Sequence, residues 1–593
     1  MNPLANTSTD GATPTQIRVE TDLLGRVTSY RHAHNRTTTF GYDQFVQLVT
    51  TNIQGLPAIG RTYDTTGRLD TLTYGGAVLA DTTYDPTTKR MTRVDYLSGA
   101  GTAGNGTHGL FDVDEWGFSD SVDWNTGATD LTAHTYTRTP DGRVVDETID
   151  GADPSTGNAY TYDALKRLTA AQVKTTGTTQ TIDYGYAATS PVSCGTGGGI
   201  LAGAAKNTNW SSAEIIGPDT ASKSPYTYCY NKADQLVSSS DTAVGTVAYD
   251  THGNTTQIFG ETRTDDSADR HLTTTKGATS VTYTRDVTDR IITRNSAGTT
   301  QKYSFTGSGD APSVILDANG ANVVQATLSL PGGAMVTVNI GSAARTWSYP
   351  NLHGDIVGVA NETGLKQGPT RVYDPYGNPV IGSTPDNATG DMDYGWLGQH
   401  QRPLEHQTNL QPIIEMGARQ YSGRIGRFIE VDPVEGGSPN DYDYTNGDPI
   451  NATDLAGTWP ECGWCRNSWN SSTDFAKRTT RTVINTSVRV GTYGKANCVT
   501  LLGGCEARSY SIGGGRCYGN SSKCVRNVAK NRQNCRGAVI SGWGVSGAVR
   551  AVQSAETRGR SMRAYWKRGP QRNFVGAAVF TGVSCIAGVY SGI

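Results

Sequence analysis

Apolar and polar residues alternate through much of this chain, the pattern of half-buried strands. VVQATLSL places Val324, Ala326, Leu328 and Leu330 on one face, and AMVTVNI does the same with Val336, Val338 and Ile340. Turns of one recurring kind separate such runs. TDLLGRV, YDQFVQL, YDTTGRL and YDPTTKRM set Asp22, Asp43, Asp64 and Asp85 at a constant spacing of 21 residues. Looser copies follow at Asp163, Asn231, Asp250, Asp286 and Asp374. A fixed period of about 20 residues signals stacked supersecondary units, none of which buries its apolar face alone.

The residue types explain the unit. Tyr and Leu suit a pleated surface, and Asp accepts a hydrogen bond from the backbone two residues on. Gly supplies the positive φ of the turn, and the Arg or Lys after it is placed to pair with an acidic neighbour. An ordinary β-sandwich with Asp-Gly turns is the bland alternative, and the 21-residue regularity speaks against it. Composition agrees: 72 glycines and 29 tyrosines favour strands and turns over helices.

Charge then divides the chain. Residues 1–458 carry 31 Lys+Arg and 50 Asp+Glu, a net −19, whereas residues 459–593 carry 20 and 4, a net +16. Eight of the ten cysteines lie in that basic tail. Such asymmetry points to two parts with two jobs. The start, MNPLANTSTDGATPTQ, has neither a basic n-region nor an apolar h-region, so no signal peptide is read. The repeats begin at once, which favours this chain being the distal part of a longer protein.

The YD units, with LPGG (Leu330 to Gly333), YPNLHGDIVGVANETG (Tyr349 to Gly364) and the block from Tyr394 to Trp459, resemble the Rhs/YD-repeat family. Bacterial Rhs toxins, the C components of insecticidal toxin complexes and teneurins belong to it. The resemblance implies a mainly β fold, a YD-repeat strip spiralling into a hollow shell, followed by a small separate C-terminal domain. It sets the divisions at 1–14, a disordered segment; 15–393, the shell; 394–458, the core that plugs it; and 459–593, a basic cysteine-rich effector. A curled sheet hides its own edges. Cys194 and Cys229 flank a Gly/Ala/Ser-rich insertion, and either a disulfide or two buried thiols fits them.

The resemblance also implies self-cleavage. The family's two Asp motifs match Asp432-Pro433-Val434-Glu435 and Asp454-Leu455-Ala456-Gly457-Thr458, which puts the cut at Thr458–Trp459, where the charge reverses. Two carboxylates sharing one proton would let one activate water while the other protonates the amide. Three positions depart from the family pattern: Leu455 replaces a Pro, Thr458 a Leu, and Ser422 the Asp of a Tyr-Asp-Pro. Asp443 is a third candidate carboxylate. Turn capping by Asp432 and Asp454 is the alternative.

The tail is the candidate effector. All nine histidines lie at or before His406, which excludes His-dependent nucleases there. Its acids are only Glu461, Asp474, Glu506 and Glu556, too few for a typical metal-dependent nuclease. Cys462-Gly463-Trp464-Cys465 matches a zinc deaminase weakly, because the upstream H-x-E element is missing. No second CxxC follows, so disulfides suit the cysteines better than zinc, and no cofactor or metal is read anywhere in the chain. Residues 573–593 are uncharged and follow a run of basic residues, which favours insertion into an anionic membrane. Two other readings stay open: a basic nuclease-type toxin tracking phosphates, and a surface adhesion or carbohydrate-binding repeat protein. Expected partners are an immunity protein, a target-cell membrane or nucleic acid, and a cell-surface ligand; the expected location is exported or cell-surface.

Overall fold

The computed structural model describes residues 17–462, leaving out 128, 153–158, 176–177, 187–206, 217–224, 343, 382–383, 435–437, 439 and 459. The calls on residues 1–14, Cys194, Glu435, Trp459 and the tail from 463 onward lie outside the described residues.

The architecture is mainly β, in a shell-like arrangement. Among the described residues there is no α-helix, and no helix is long and apolar enough to cross a membrane. Within each sheet, every strand pairs antiparallel with the next in sequence. A 12-stranded sheet runs from Arg18–Thr21 to Val144–Ile149, a 6-stranded sheet from Tyr160–Tyr162 to Leu236–Ser239, and a second 12-stranded sheet from Ala248–Tyr249 to Ile356–Ala360. A 5-stranded sheet, Met392–Asp393 to Arg427–Phe428, follows within the core segment.

The repeat is legible atom by atom. Asp163 Oδ1 accepts the backbone N–H groups of Leu165 and Arg167, each at 2.9 Å, while Arg167 Nε donates to Oδ2 at 2.8 Å. Asp22, Asp64, Asp266 and Asp286 build the same turn with the Arg four residues on. The Arg thus pairs with the Asp of its own turn. A later tyrosine covers these guanidiniums, Arg26 lying against Tyr42, Arg68 against Tyr84 and Arg167 against Tyr186, and Tyr162 covers Arg143, whose turn is opened by Thr139 and whose ion pair is with Asp448. Two of these phenols also donate to a backbone carbonyl of the earlier unit, Tyr42 to Val27 and Tyr162 to Val144. The Tyr-Asp pair is therefore a hinge between units, the Tyr facing back and the Asp opening the next turn.

A register shift recurs just before the turn, as at Gly41/Tyr42, Thr83/Tyr84, Thr161/Tyr162 and Ala248/Tyr249. Each bulge adds local bend and twist, so a strip built of such units curves. The first and third sheets share one core, centred on Tyr96, Trp124, Trp347 and Tyr349. The second sheet shares another with the core segment, where Trp210, Tyr376, Trp396, Tyr421, Phe428, Tyr444 and Leu455 meet.

Alternation holds less strictly than the sequence implies in Val323–Ser329 and Met335–Asn339. Gln325, Thr327, Met335 and Thr337 are buried as well as the apolar face, while Val324 is only partly buried and Ile340 is exposed. The cause is a cover on the second face: Met335 packs with Ala388 and Tyr394, and Gln325 hydrogen-bonds Thr389.

Candidate functional site

The strand Arg419–Ser422 and the loop 454–458 approach unusually closely. Gly417 and Gly457 take φ of 60° and 61°, and a Cβ at either would sit 2.5 Å from Ala456 O or 2.2 Å from Met416 O. Only glycine fits both the backbone and the gap. Ala418 N–H donates to Ala456 O at 3.0 Å across it.

Arg419 crosses the junction fully buried. Its Nε donates to Gly457 O at 2.6 Å and its Nη1 to Asp441 O at 3.0 Å. Its Nη2 lies 3.1 Å from Asp432 Oδ2 and 3.1 Å from Asp454 Oδ2. The two predicted aspartates therefore meet, and the group they share in this structure is a guanidinium. Asp454 Oδ1 accepts the N–H of Thr458 at 3.0 Å, and Asp432 Oδ1 that of Val434 at 2.8 Å. Asp432 Oδ2 makes no hydrogen bond. Burial pushes the Asp432 carboxyl up, with Arg419 opposing. Burial likewise disfavours the charge of Arg419, which Asp432 and Asp454 support, and the guanidinium lies 3.7 Å from the centre of the Phe428 ring.

Asp443 stands apart from this pair. Its carboxyl faces the Thr208 hydroxyl and the Asn446 backbone, and burial pushes it up to about 6. Of the positions that depart from the family pattern, Leu455 packs into the core around Tyr421 and Tyr444, and Ser422 is wholly buried. Beyond Thr458, the strand Glu461–Cys462 pairs with Ala452–Thr453, so backbone on both sides of the expected cut belongs to one ladder. A cavity of ≈ 250 Å³, lined by Arg290, Tyr303, Phe305, Tyr394 and Glu415, also reaches Ala456, two residues before Thr458.

Sequence reasoning missed Arg419. The available signal was a cation at Arg419 flanked by the apolar run Ile413-Ile414 and by Tyr421, Ile425 and Phe428, since an arginine buried in such a segment demands counter-charge.

No family model and no curated protein matches the sequence. Solved structures do. The Photorhabdus luminescens Tc holotoxin pore matches with a TM-score of 0.57 at 16% identity, over 75% of this chain and 23% of that one. Crystal structures of TcdB2-TccC3 and of TcdB2-TccC3-Cdc42 match with TM-scores of 0.54 and 0.53 at 16% and 17% identity, over 75% of this chain and 24% of the TcdB2-TccC3 chain. The fold is that of the Tc toxin shell. The chain spans about a quarter of the length of those solved chains.

Proposed function

We propose that residues 15–458 form a shell that encloses the basic tail and releases it by cutting Thr458–Trp459, with the core at 394–458 as plug and 459–593 as effector. One observation carries this reading: two buried carboxylates meet on one guanidinium, and one of them holds the Thr458 N–H. Turn capping alone would bring neither carboxylate to the other. The Tc toxin fold supports it.

The geometry divides the labour. Asp454 and Arg419 hold the peptide by the Thr458 N–H and the Gly457 carbonyl. Asp432, whose Oδ2 makes no hydrogen bond, is the proton-transfer group. As base it takes a proton from water while the hydroxide adds to the Thr458 carbonyl carbon. As acid it returns that proton to the Trp459 nitrogen as the C–N bond breaks. The ladder between Ala452–Thr453 and Glu461–Cys462 would keep the cut tail in place. Cys229 is disulfide-bonded, and pairing with Cys194 would close the Gly/Ala/Ser-rich insertion between them and suit an exported protein. Partners would be other toxin components or a target, with the tail acting on membranes through 573–593.

The purified full chain should yield a 135-residue product beginning at Trp459 on a denaturing gel, co-eluting with the shell under native conditions. Asp432→Asn should abolish it, and Asp454→Asn should slow it at least a hundredfold. Cleavage that persists in both variants assigns the cut to a contaminating protease. The freed tail should leak dye from anionic vesicles; nuclease activity with sealed vesicles would favour the nucleic-acid reading instead.

A further inference from the structure

Behind Asp432 lies a second buried polar cluster that the cleavage reading does not use. Asp265 closes the strand Glu261–Asp265, His271 opens His271–Lys276 as its register partner, and Glu430 follows Arg427–Phe428 of the core segment. One potential ligand atom from each lies within 4.8 Å of the others. We propose that Asp265, His271 and Glu430 bind one divalent first-row metal ion, of the Zn²⁺ class, and so clamp the repeat wall to the core segment.

The donor set fits that class: one imidazole nitrogen and two carboxylate oxygens suit zinc, with water completing the shell. His271 is 3% exposed, and its Nδ1 has no hydrogen-bond partner. Its Nε2 hydrogen-bonds Thr274 Oγ1 at 3.0 Å, the arrangement by which ligating histidines are oriented through their other nitrogen. Nδ1 stands 3.6 Å from Asp265 Oδ1, itself without a hydrogen bond. That is too long for a good hydrogen bond and near the spacing of about 3.3 Å between two donors on a tetrahedral zinc.

Charge points the same way. Glu261, Asp265 and Glu430 bring three carboxylates, and Arg263, which makes no hydrogen bond, brings one guanidinium 3.5 Å from Glu261. Carboxylates outnumber the guanidinium at the cluster itself, a balance that favours a cation between Asp265 and Glu430. Glu415, close by, is already paired with Arg285 at 3.1 Å. Burial pushes the Asp265 and Glu430 carboxyls up, both against Arg263, and pushes the His271 imidazole down. Glu430 Oε2 also accepts the Gln420 N–H at 2.6 Å, so the ion would brace the backbone beside Arg419.

The test uses the full chain with its thiols alkylated, so that the tail cysteines take no metal, stripped with chelator and titrated with Zn²⁺ by calorimetry. One ion per chain should bind and raise the melting temperature. Glu430→Gln and His271→Ala should each weaken binding at least tenfold and remove that rise, while Asp454→Asn should bind as the parent does, whether or not it cuts. Should His271→Ala misfold by circular dichroism, the near-isosteric Glu430→Gln decides. A folded parent that binds no zinc, or a Glu430→Gln variant that binds it equally, overturns the proposal.

Discussion

Aspartate and arginine meet in two regions of this molecule with opposite consequences. In a repeat turn such as Asp163–Arg167, one arginine serves one carboxylate, whose Oδ1 is filled by backbone N–H groups, and the side chains keep some contact with solvent. In the core segment one fully buried guanidinium serves two carboxylates, and an oxygen of Asp432 is left without a hydrogen bond. The first arrangement is saturated and shapes the chain. The second is under-satisfied, which is costly for folding and useful for chemistry.

The largest expected effect separates the two. Arg419→Met should destabilise the protein by about 3–5 kcal/mol, because it strands two buried carboxylates. Arg167→Met should cost about 1–2 kcal/mol, for one partly exposed pair and its contact with Tyr186. Urea denaturation of the full chain measures both, and equal losses would break the contrast.

Asp286 sharpens it, being a repeat turn that is buried. Burial favours its neutral form, yet the charge and hydrogen bonds of Arg290 and the Thr288 hydroxyl, with His32 3.6 Å away, outweigh that and hold the carboxyl well below the usual range. A depressed carboxylate contributes stability above its unfolded pKa of about 3.9 and loses that contribution as pH falls below it. The stability gap between parent and Asp286→Asn should therefore be full at pH 6 and shrink steadily from about pH 4 downward. A gap independent of pH would assign the effect to packing.

The smallest effect tests the turn itself. Val46 holds φ of 71° in the slot that Gly25 and Gly67 fill elsewhere, and it is mostly exposed. Val46→Gly should raise stability by about 0.5–1 kcal/mol, read as a higher melting temperature, since the strain removed exceeds the added chain entropy.

The wall was legible because its determinants are local. Tyr, Asp, Gly and Arg recur within one unit, and the turn bonds join residues two and four apart. The site was legible only in part. Resemblance supplied Asp432 and Asp454, but Arg419 reaches Asp454 across 35 residues, and Asp265 and His271 meet Glu430 only through folding. Nothing in spacing encodes such meetings. The double burial of Thr327 and Thr337 escaped for the same reason, since the cover at 387–394 comes from far along the chain.

The backward reach of each tyrosine restricts how such a protein can change length. Tyr42 covers Arg26 and Tyr162 covers Arg143, so adding one residue to an intervening strand would turn its side chains over and uncouple tyrosine from arginine. Growth by a whole unit keeps every partner, and growth in a loop between strands disturbs none. Lineages carrying this wall should therefore differ by complete turns or by loop insertions, while single-residue slips inside strands are purged.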